Sequence, residues 1–298
     1  MTRHFLEVDD LSTAELLAVL NLAEAEHPHK ILGGKGVALY FAKPSLRTRH
    51  STEMAVFQLG GHPLTMGDDE VGLGTREPTA DVARVLGRYH AAIAARVFGH
   101  DLLEELAANA GVPVINLLSD EAHPCQALAD LLTIRQVHGR LEGLSLAYVG
   151  DFNNVARSLA IAATMVGIQV RLACPPGYAP EPADIDRMTL QGHAPTVTSH
   201  PVEAVAAADV VYTDVWTSMG QEAESAARQQ AFEGFSVTAD LMAAAGEKAT
   251  FLHCLPAHRG EECAAEVVDG PQSQVWLQAE NRMHAVRGLL LWLVQETS

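Results

Sequence analysis

The sequence predicts an α/β fold of two similar lobes, each a parallel sheet flanked by helices. Its 298 residues exceed one ordinary core and suit two domains of about 150 residues each. Short apolar runs without strict alternation are typical of strands buried on both faces of a parallel sheet. Longer helical stretches separate these runs, and this alternation indicates the α/β class. The runs cover residues 37–41, 92–97, 112–116, 145–150, 170–174, 210–214 and 250–254.

A boundary between the lobes is expected near residue 140. The segment HGRLEG at residues 138–143 follows a predicted helix at 126–137 and precedes a predicted strand. This leaves one sheet on each side, so residues 1–139 and 140–279 are the expected domains. Residues 280–298 contain the apolar run LLLWLV and are expected to form a helix that packs back across the lobes and onto the first domain.

Composition excludes several classes of protein. Lysine and arginine number 20 against 37 aspartates and glutamates, a net charge of −17, and no basic stretch stands out. We therefore expect neither nucleic acid nor an anionic membrane surface as a partner. No apolar run approaches the roughly 18 residues that span a bilayer, and the N-terminus lacks the pattern of a secretory signal. A soluble, cytoplasmic protein is expected. Its four cysteines lack a CxxC spacing and are expected to be free thiols: Cys125, Cys174, Cys254 and Cys263.

The segment SLRTR at residues 45–49 follows a predicted strand and precedes a helical pattern. Ser45 therefore lies at or near an N-cap, where backbone N–H groups and the positive end of the helix dipole favour an anion. Two hydroxyls and two guanidiniums within five residues add donors suited to phosphate. The alternative is an ordinary capped helix with two surface arginines.

Two further polar segments follow predicted strands. In HPCQ, His123 and Gln126 lie three residues apart at a helix start, so an imidazole donor and an amide acceptor can face one carbamoyl group. In DVWTSMGQE, Asp214 can hold an ammonium group, and residues 218–220 suit a loop that closes over a small molecule. The alternatives are a solvated His–Gln pair and a buried turn with a capping aspartate.

The segment HCLPAHRG at residues 253–260 also lies at a strand end. Two histidines and Cys254 suggest a metal, but zinc needs three or four ligands in fixed geometry and no second cluster completes the set. We therefore expect no metal, and a nucleophilic role for Cys254 stays open. Arg282, near the start of the last helix, can return to a site between the lobes or pair with Glu280.

Taken in order, the segments SLRTR, HPCQ, DVWTSMGQE, HCLPAHRGEE, DGPQSQVW and AENRMHA resemble the aspartate/ornithine carbamoyltransferase family. The first two belong to the carbamoyl-phosphate lobe that the whole family shares, whereas the SMG loop and HCLP are characteristic of the ornithine branch. The resemblance runs from Arg3 to the end of the chain. It implies transfer of a carbamoyl group from carbamoyl phosphate to the side-chain amine of ornithine, giving citrulline and phosphate. No metal or organic cofactor is implied, and the assembly would be a trimer or a multiple of trimers.

The resemblance also implies roles for individual residues. Those that would hold the phosphate are Ser45, Leu46 through its backbone, Arg47, Thr48 and Arg96. Those that would orient the carbamoyl group are His123, Gln126 and Arg282. Ornithine would contact Asn154, Asp214, Ser218, Met219, Cys254 and the Leu255 carbonyl. The residues that would act in catalysis, by stabilising charge or by lying near the amine, are Arg47, Arg96, His123, Cys254 and Arg282.

Three residues depart from the family pattern, all in the carbamoyl-phosphate lobe. Leu46 replaces the first threonine of STRTR, Thr52 stands where phenylalanine is usual, and Gly72 stands where many ornithine enzymes have glutamine. These changes affect the expected affinity for carbamoyl phosphate. They leave two alternatives open: a carbamoyltransferase for another amine, such as putrescine or an acylated ornithine, and a catalytically weakened paralogue with a regulatory role.

Overall fold

The computed structural model describes residues 2–217 and 222–296. The chain packs as two units. Unit 1 contains the residues up to Leu132 and those from Glu280 onward, and unit 2 contains Thr133–Ala279. The division falls within the helix Pro124–His138, whereas the sequence pattern placed it just after that helix. None of the helices in the described ranges combines the length and apolar composition that crossing a bilayer requires.

Unit 1 is built on a sheet of four parallel strands in the order β2-β1-β3-β4. Its strands are β1 (Gly36–Phe41), β2 (His62–Gly67), β3 (His90–Arg96) and β4 (Val114–Leu118). Its helices are α1 (Thr13–Ala23), α2 (Leu46–Gln58), α3 (Asp68–Val71), α4 (Thr79–Tyr89), α5 (Asp101–Ala110) and the first part of α6 (Pro124–His138). The central strands β1 and β3 are buried along most of their length because helices cover the sheet, which explains their uninterrupted apolar sequence.

Unit 2 is built on five parallel strands in the order β7-β6-β5-β8-β9. Its strands are β5 (Ser145–Val149), β6 (Gln169–Ala173), β7 (Thr196–Thr198), β8 (Val210–Thr213) and β9 (Thr250–His253). Its helices are α7 (Asn154–Met165), α8 (Pro182–Gln191), α9 (Pro201–Val205), α10 (Ser225–Ala231), α11 (Ala239–Ala245) and α12 (Ala265–Val268). One cluster of buried apolar side chains, including Phe232 and Phe251, packs on this sheet.

The predicted α/β class and the seven predicted strands are confirmed, and two strands escaped prediction. Both are edge strands: β2 has the sequence HPLTMG and β7 has only TVT. An edge strand tolerates proline because one side of it needs no ladder hydrogen bonds, and Pro63 lies in β2. Both β2 and β7 are partly exposed, so neither needs the apolar run by which the other strands, including the buried edge strands β4 and β9, were recognised.

The last helix, α13 (Val275–Glu296), begins in unit 2 and belongs to unit 1 from Glu280 onward. In unit 1 it packs closely on α1. A methyl group on Gly288 would lie 2.5 Å from the Val19 carbonyl oxygen and 2.7 Å from the Ala23 nitrogen. Next to it, Arg287 donates to the carbonyl oxygens of Ala23 and Ala25 at 2.7 and 2.9 Å. Glycine at 288 therefore permits the backbones to approach each other and the arginine to satisfy the end of α1.

Replacing Gly288 by alanine should destabilise the protein. Alanine favours a helix over glycine by about 1 kcal/mol, but its methyl group would meet backbone atoms that cannot rotate away, and overpacking costs about 1–3 kcal/mol. We expect a net loss in the free energy of unfolding, measured by denaturant titration. Gly33→Ala is the matched control, because the nearest atom to a methyl there is the Lys30 oxygen at 3.5 Å. Equal stability of the two variants would contradict the close packing.

Candidate functional site

Polar residues predicted to be functional lie where the strand order reverses. In unit 1 the reversal is between β1 and β3, and Ser45 follows β1 while Arg96 ends β3. In unit 2 it is between β5 and β8, where the predicted Asp214 follows β8 and Asn153, which was not predicted, follows β5. Open α/β sheets bind ligands at such points because the chain leaves neighbouring strands in opposite directions and opens a crevice.

Helix α2 begins at an N-cap serine, as predicted. The Ser45 hydroxyl accepts a hydrogen bond from the Thr48 nitrogen at 3.3 Å. The first N–H groups of a helix have no acceptor within it, and with the dipole they attract an anion. Leu46 is the first residue of α2, and its side chain is 72 % exposed. It can therefore offer its backbone to an anion but adds no polar side-chain group.

Five predicted residues of unit 1 form one buried group, called here the anion cluster: Thr48, Arg96, His123, Gln126 and Arg282. The Thr48 hydroxyl is shared, since Arg282 Nη2 lies 2.8 Å and Arg96 Nη1 3.5 Å from its oxygen. The other terminal nitrogen of Arg282 donates to the amide oxygen of Gln126.

The Gln126 side chain is fixed at both ends. Its nitrogen donates to Asp130 at 2.7 Å, and Asp130 is fully buried. The sequence interpretation reserved the Gln126 oxygen for the NH₂ of a carbamoyl group, whereas here that oxygen accepts from Arg282. A carbonyl oxygen has two lone pairs, so a second hydrogen bond from a ligand remains compatible with this arrangement.

His123 is held neutral. Burial lowers its pKa well below the ordinary value, and the positive charges of Arg282, Arg96 and Arg47 lower it further. A neutral imidazole has one N–H donor and one acceptor nitrogen. His123 can thus donate one hydrogen bond to an oxygen without adding a further positive charge to the cluster.

Lys43, which sequence reasoning did not select, lies close to this cluster. Burial lowers its pKa, and the charge of Arg96 lowers it further. Its nitrogen lies 3.9 Å from the centre of the Phe98 ring. Lys43 and Ser45 line a cavity of about 420 Å³ at the carboxyl ends of β1 and β2. The sequence feature that could have identified Lys43 is its position two residues before the N-cap serine.

In unit 2, Asp214 is the buried centre of a second group, called here the carboxylate–thiol cluster, whose other members, Asn153, Cys254 and Leu255, are half-buried. The Asp214 carboxylate accepts from the Asn153 amide at 2.9 Å and from the Cys254 thiol at 2.8 Å. The thiol also lies 3.7 Å from the Leu255 carbonyl oxygen. The cluster thus brings three predicted ornithine contacts together with one unpredicted residue.

Asn153 caps α7, with its oxygen accepting from the nitrogens of Val155 and Ala156. The predicted Asn154 is the next residue, half-buried in the first turn of that helix. An asparagine directly before a helical run is an N-cap signal, by which Asn153 could have been found. Ser218 and Met219 lie outside the described residues.

Arg228 supports the second cluster and was not foreseen. Its guanidinium forms an ion pair with Asp151 at 2.7 Å and donates to the Trp216 carbonyl oxygen at 2.9 Å. Asp151 precedes Asn153 by two residues and Trp216 follows Asp214 by two, so one side chain joins both segments. Burial raises the pKa of Asp151, and the Arg228 charge opposes that rise. No local pattern could reveal this contact because the partners are far apart in sequence.

Among the described residues, three groups of side chains bring possible metal donors within 4.8 Å of one another, and two of them contain His253. Both ring nitrogens of His253 are already engaged: Nδ1 accepts from the Leu255 nitrogen at 2.8 Å and Nε2 lies 3.0 Å from Glu262. The third group, His258 with two glutamates, is partly exposed. The lone pairs that a metal would need on His253 are thus used within the protein. All four cysteines are free thiols, and burial raises the pKa of Cys125, Cys174 and Cys263 to about 12.

The protonation of His123 can be tested directly. In ¹⁵N-histidine-labelled protein, its ring resonances should keep the neutral pattern at pH 6 and below, and their loss in His123→Asn assigns them. The unfolded chain protonates histidine near pH 6.5. This group therefore leaves the free energy of unfolding unchanged above pH 6.5 and lowers it by up to about 1.4 kcal/mol per pH unit as pH falls towards the folded pKa. Titration of folded His123 near pH 6.5 would contradict the buried neutral state.

Comparisons with known proteins cover almost the whole chain. Residues 3–136 match the profile described as "Aspartate/ornithine carbamoyltransferase, carbamoyl-P binding domain", and residues 142–293 match the "Asp/Orn binding domain" of the same family. An ornithine carbamoyltransferase from Acidothermus cellulolyticus is 52 % identical over an alignment of 305 positions, which covers 99 % of this chain and 97 % of that protein.

Solved structures agree with these matches. The ornithine carbamoyltransferase from Pyrococcus furiosus superposes with a TM-score of 0.93 at 47 % identity, covering 97 % of this chain and 96 % of the other. An N-acetyl-L-ornithine transcarbamylase superposes with a TM-score of 0.88 at 33 % identity, covering 97 % of this chain and 99 % of the other.

Proposed function

Because the chain belongs to the aspartate/ornithine carbamoyltransferase family, we propose which of its residues perform the reaction. The protein transfers the carbamoyl group of carbamoyl phosphate to the side-chain amine of L-ornithine, giving L-citrulline and phosphate. The observation that carries the assignment of residues is the bonding of Arg282 to both Thr48 and Gln126, which fixes donors at the start of α2.

The phosphate of carbamoyl phosphate binds at the N-terminus of α2. Ser45, the Leu46 backbone, Arg47 and Thr48 surround it, and Arg96 approaches from the end of β3. A phosphate dianion there meets helix N–H groups and guanidiniums together, so charge and geometry favour the same place.

The carbamoyl group lies against His123, Gln126 and Arg282. When an amine attacks the carbamoyl carbon, the oxygen gains negative charge in a tetrahedral intermediate. Neutral His123 and Arg282 donate to that oxygen, and the buried Gln126–Asp130 contact keeps the amide in place. One preorganised donor of this kind is worth roughly 3–4 kcal/mol in the transition state. Phosphate then leaves, and the positive charges of Arg47 and Arg96 stabilise it.

Ornithine binds at the carboxylate–thiol cluster, with Asn154, Ser218 and Met219 as its further contacts. Its side-chain amine has an ordinary pKa of about 10.4 and must lose a proton before it attacks. Asp214 receives that proton directly or through Cys254, and the Leu255 carbonyl accepts a hydrogen bond from the amine. Phosphate is the alternative acceptor of the proton. These steps use only protein groups and substrates.

We also propose that the chain forms homotrimers or multiples of trimers in the cytoplasm. Apolar side chains are exposed on neighbouring elements of unit 1, with Phe57 of α2 66 % and Leu64 of β2 43 % exposed. Burying them against another copy would remove apolar surface from water. The four free thiols suit a reducing compartment.

Steady-state assays with three amines test the function. Citrulline should form from carbamoyl phosphate and L-ornithine with kcat/KM at least about a hundredfold above that for putrescine or N-acetylornithine, since a site that pairs substrate polar groups rejects analogues lacking them. Arg282→Gln should lower kcat at least about a hundredfold, because one oxyanion donor is lost. Arg84→Gln should not, because Arg84 is exposed and its contacts with Asp81 and Asn109 are exposed as well. Faster turnover of another amine would establish that alternative, and product formation by none, with carbamoyl phosphate still bound, would favour the regulatory paralogue.

Leu46→Thr should lower the KM for carbamoyl phosphate. A threonine hydroxyl at the first position of α2 would give the phosphate one more donor, worth about 0.5–1.5 kcal/mol or roughly two- to tenfold. Leu46→Val is the matched control, since valine has nearly the shape of threonine without its hydroxyl. If both variants change the KM equally, the lost hydroxyl is not the reason for any weakness in binding.

A further inference from the structure

His253 and Glu262 form a buried pair beside the carboxylate–thiol cluster. His253 Nε2 lies 3.0 Å from Glu262 Oε1, and neither side chain is exposed at all. The same glutamate oxygen accepts from the His258 backbone nitrogen at 2.6 Å. Burial acts to raise the pKa of Glu262, but the hydrogen bonds from His253 and the His258 amide outweigh it and hold the pKa below its usual value. A carboxylate is thus kept charged in the interior, which is costly unless it is well paired.

The hydrogen bonds determine where His253 carries its proton. The Leu255 backbone N–H donates to Nδ1 at 2.8 Å, so Nδ1 must be the unprotonated nitrogen. In the neutral ring the proton then lies on Nε2, from which it points at Glu262. The Leu255 amide and Glu262 therefore select the same tautomer, and Glu262 also fixes the orientation of the imidazole, as carboxylates do for histidines elsewhere.

The His253 imidazole accepts a hydrogen bond from the backbone of Leu255. Leu255 has φ of +60°, in the left-handed region that residues with a Cβ seldom adopt. Such a conformation persists only where the surroundings fix it. The bond from the Leu255 nitrogen to His253 is one such constraint, and the carbonyl of the same residue lies against the Cys254 thiol.

We propose that Glu262 and His253 are positioning residues for ornithine: Glu262 orients His253, and His253 holds the Leu255 amide so that the Leu255 carbonyl and the Cys254 thiol face the side-chain amine. The inference rests on the proposed binding of ornithine at Cys254 and Leu255. In this arrangement His253 takes no proton from the substrate, because its two nitrogens are occupied by the Leu255 amide and by Glu262.

Substitutions of Glu262 separate positioning from charge. Glu262→Gln keeps an oxygen that accepts from both His253 and the His258 amide, and it should retain kcat/KM for ornithine within about threefold. Glu262→Ala removes the acceptor and should lower kcat/KM for ornithine about tenfold or more, with the KM for carbamoyl phosphate within about twofold. Glu261→Ala, at the neighbouring half-buried glutamate, is the matched control and should change neither. Circular dichroism and thermal melting establish that each variant is folded.

Substitutions of His253 test whether Glu262 acts through His253 and the Leu255 amide. They also replace Glu262→Ala as the test if that variant does not fold. Asparagine places an oxygen where Nδ1 lies, so His253→Asn can still accept from the Leu255 amide, whereas His253→Gln places its polar end near Nε2. The kcat/KM for ornithine should be about tenfold higher in His253→Asn than in His253→Gln. In the His253→Asn background, Glu262→Ala should add little further loss. Additive losses, or equal activity of the two His253 variants, would overturn the proposal.

Two further measurements complete the test. In ¹⁵N-histidine spectra at pH 8, His253 should show a protonated Nε2 and an unprotonated Nδ1, and the opposite tautomer would contradict the inference. Cys254→Ala should lower kcat/KM for ornithine if the amine binds there. If Cys254→Ala leaves kcat/KM for ornithine unchanged, the proposed ornithine site is refuted. If Cys254→Ala lowers kcat/KM but Glu262→Ala does not, only the positioning role is refuted.

Discussion

The buried guanidinium of Arg282 is the interaction on which the carbamoyl-phosphate half of the protein depends. It joins Thr48 and Gln126, which come from two helices far apart in sequence, and it places positive charge beside the helix start at Ser45. A buried arginine is tolerated only where its donors are satisfied, so the same bonds that prepare the site also hold the α2, α6 and α13 segments of unit 1 together.

The protein carries a net charge of −17, yet three arginines act on His123: Arg96 and Arg282 of the anion cluster, and Arg47, the chain neighbour of Thr48. A neutral imidazole is the consequence, because adding a proton there would place another positive charge among three in a desolvated interior. The arrangement gives His123 a defined chemical character: it can polarise an oxygen by hydrogen bonding, but it contributes no cation. Unit 2 has the opposite arrangement: its central group is the carboxylate of Asp214, which accepts hydrogen bonds from an amide and a thiol.

Sequence patterns predicted the mostly buried strands, including the edge strands β4 and β9, because burial demands apolar residues, whereas the edge strands β2 and β7 are partly exposed and were missed. Residues that directly follow a central strand, such as Ser45 and Asp214, were identifiable because parallel strands end at one edge of a sheet. Their supporting partners were not. Arg228 reaches Asp151 across 77 positions and Gln126 meets Arg282 across 156, and no periodic pattern encodes such distances.

Unit 1 combines the residues up to Leu132 with those from Glu280 onward, so the ribosome completes it only after the whole of unit 2. The anion cluster takes Thr48 and Gln126 from the first half of the sequence but Arg282 from the last helix. Chains grow from the N-terminus at about 5–20 residues per second, so the strands of unit 2 have all been synthesised before unit 1 receives its final helix. A nascent chain that stops before Glu280 therefore carries the whole sheet of unit 1 but lacks Arg282, so its anion cluster is incomplete.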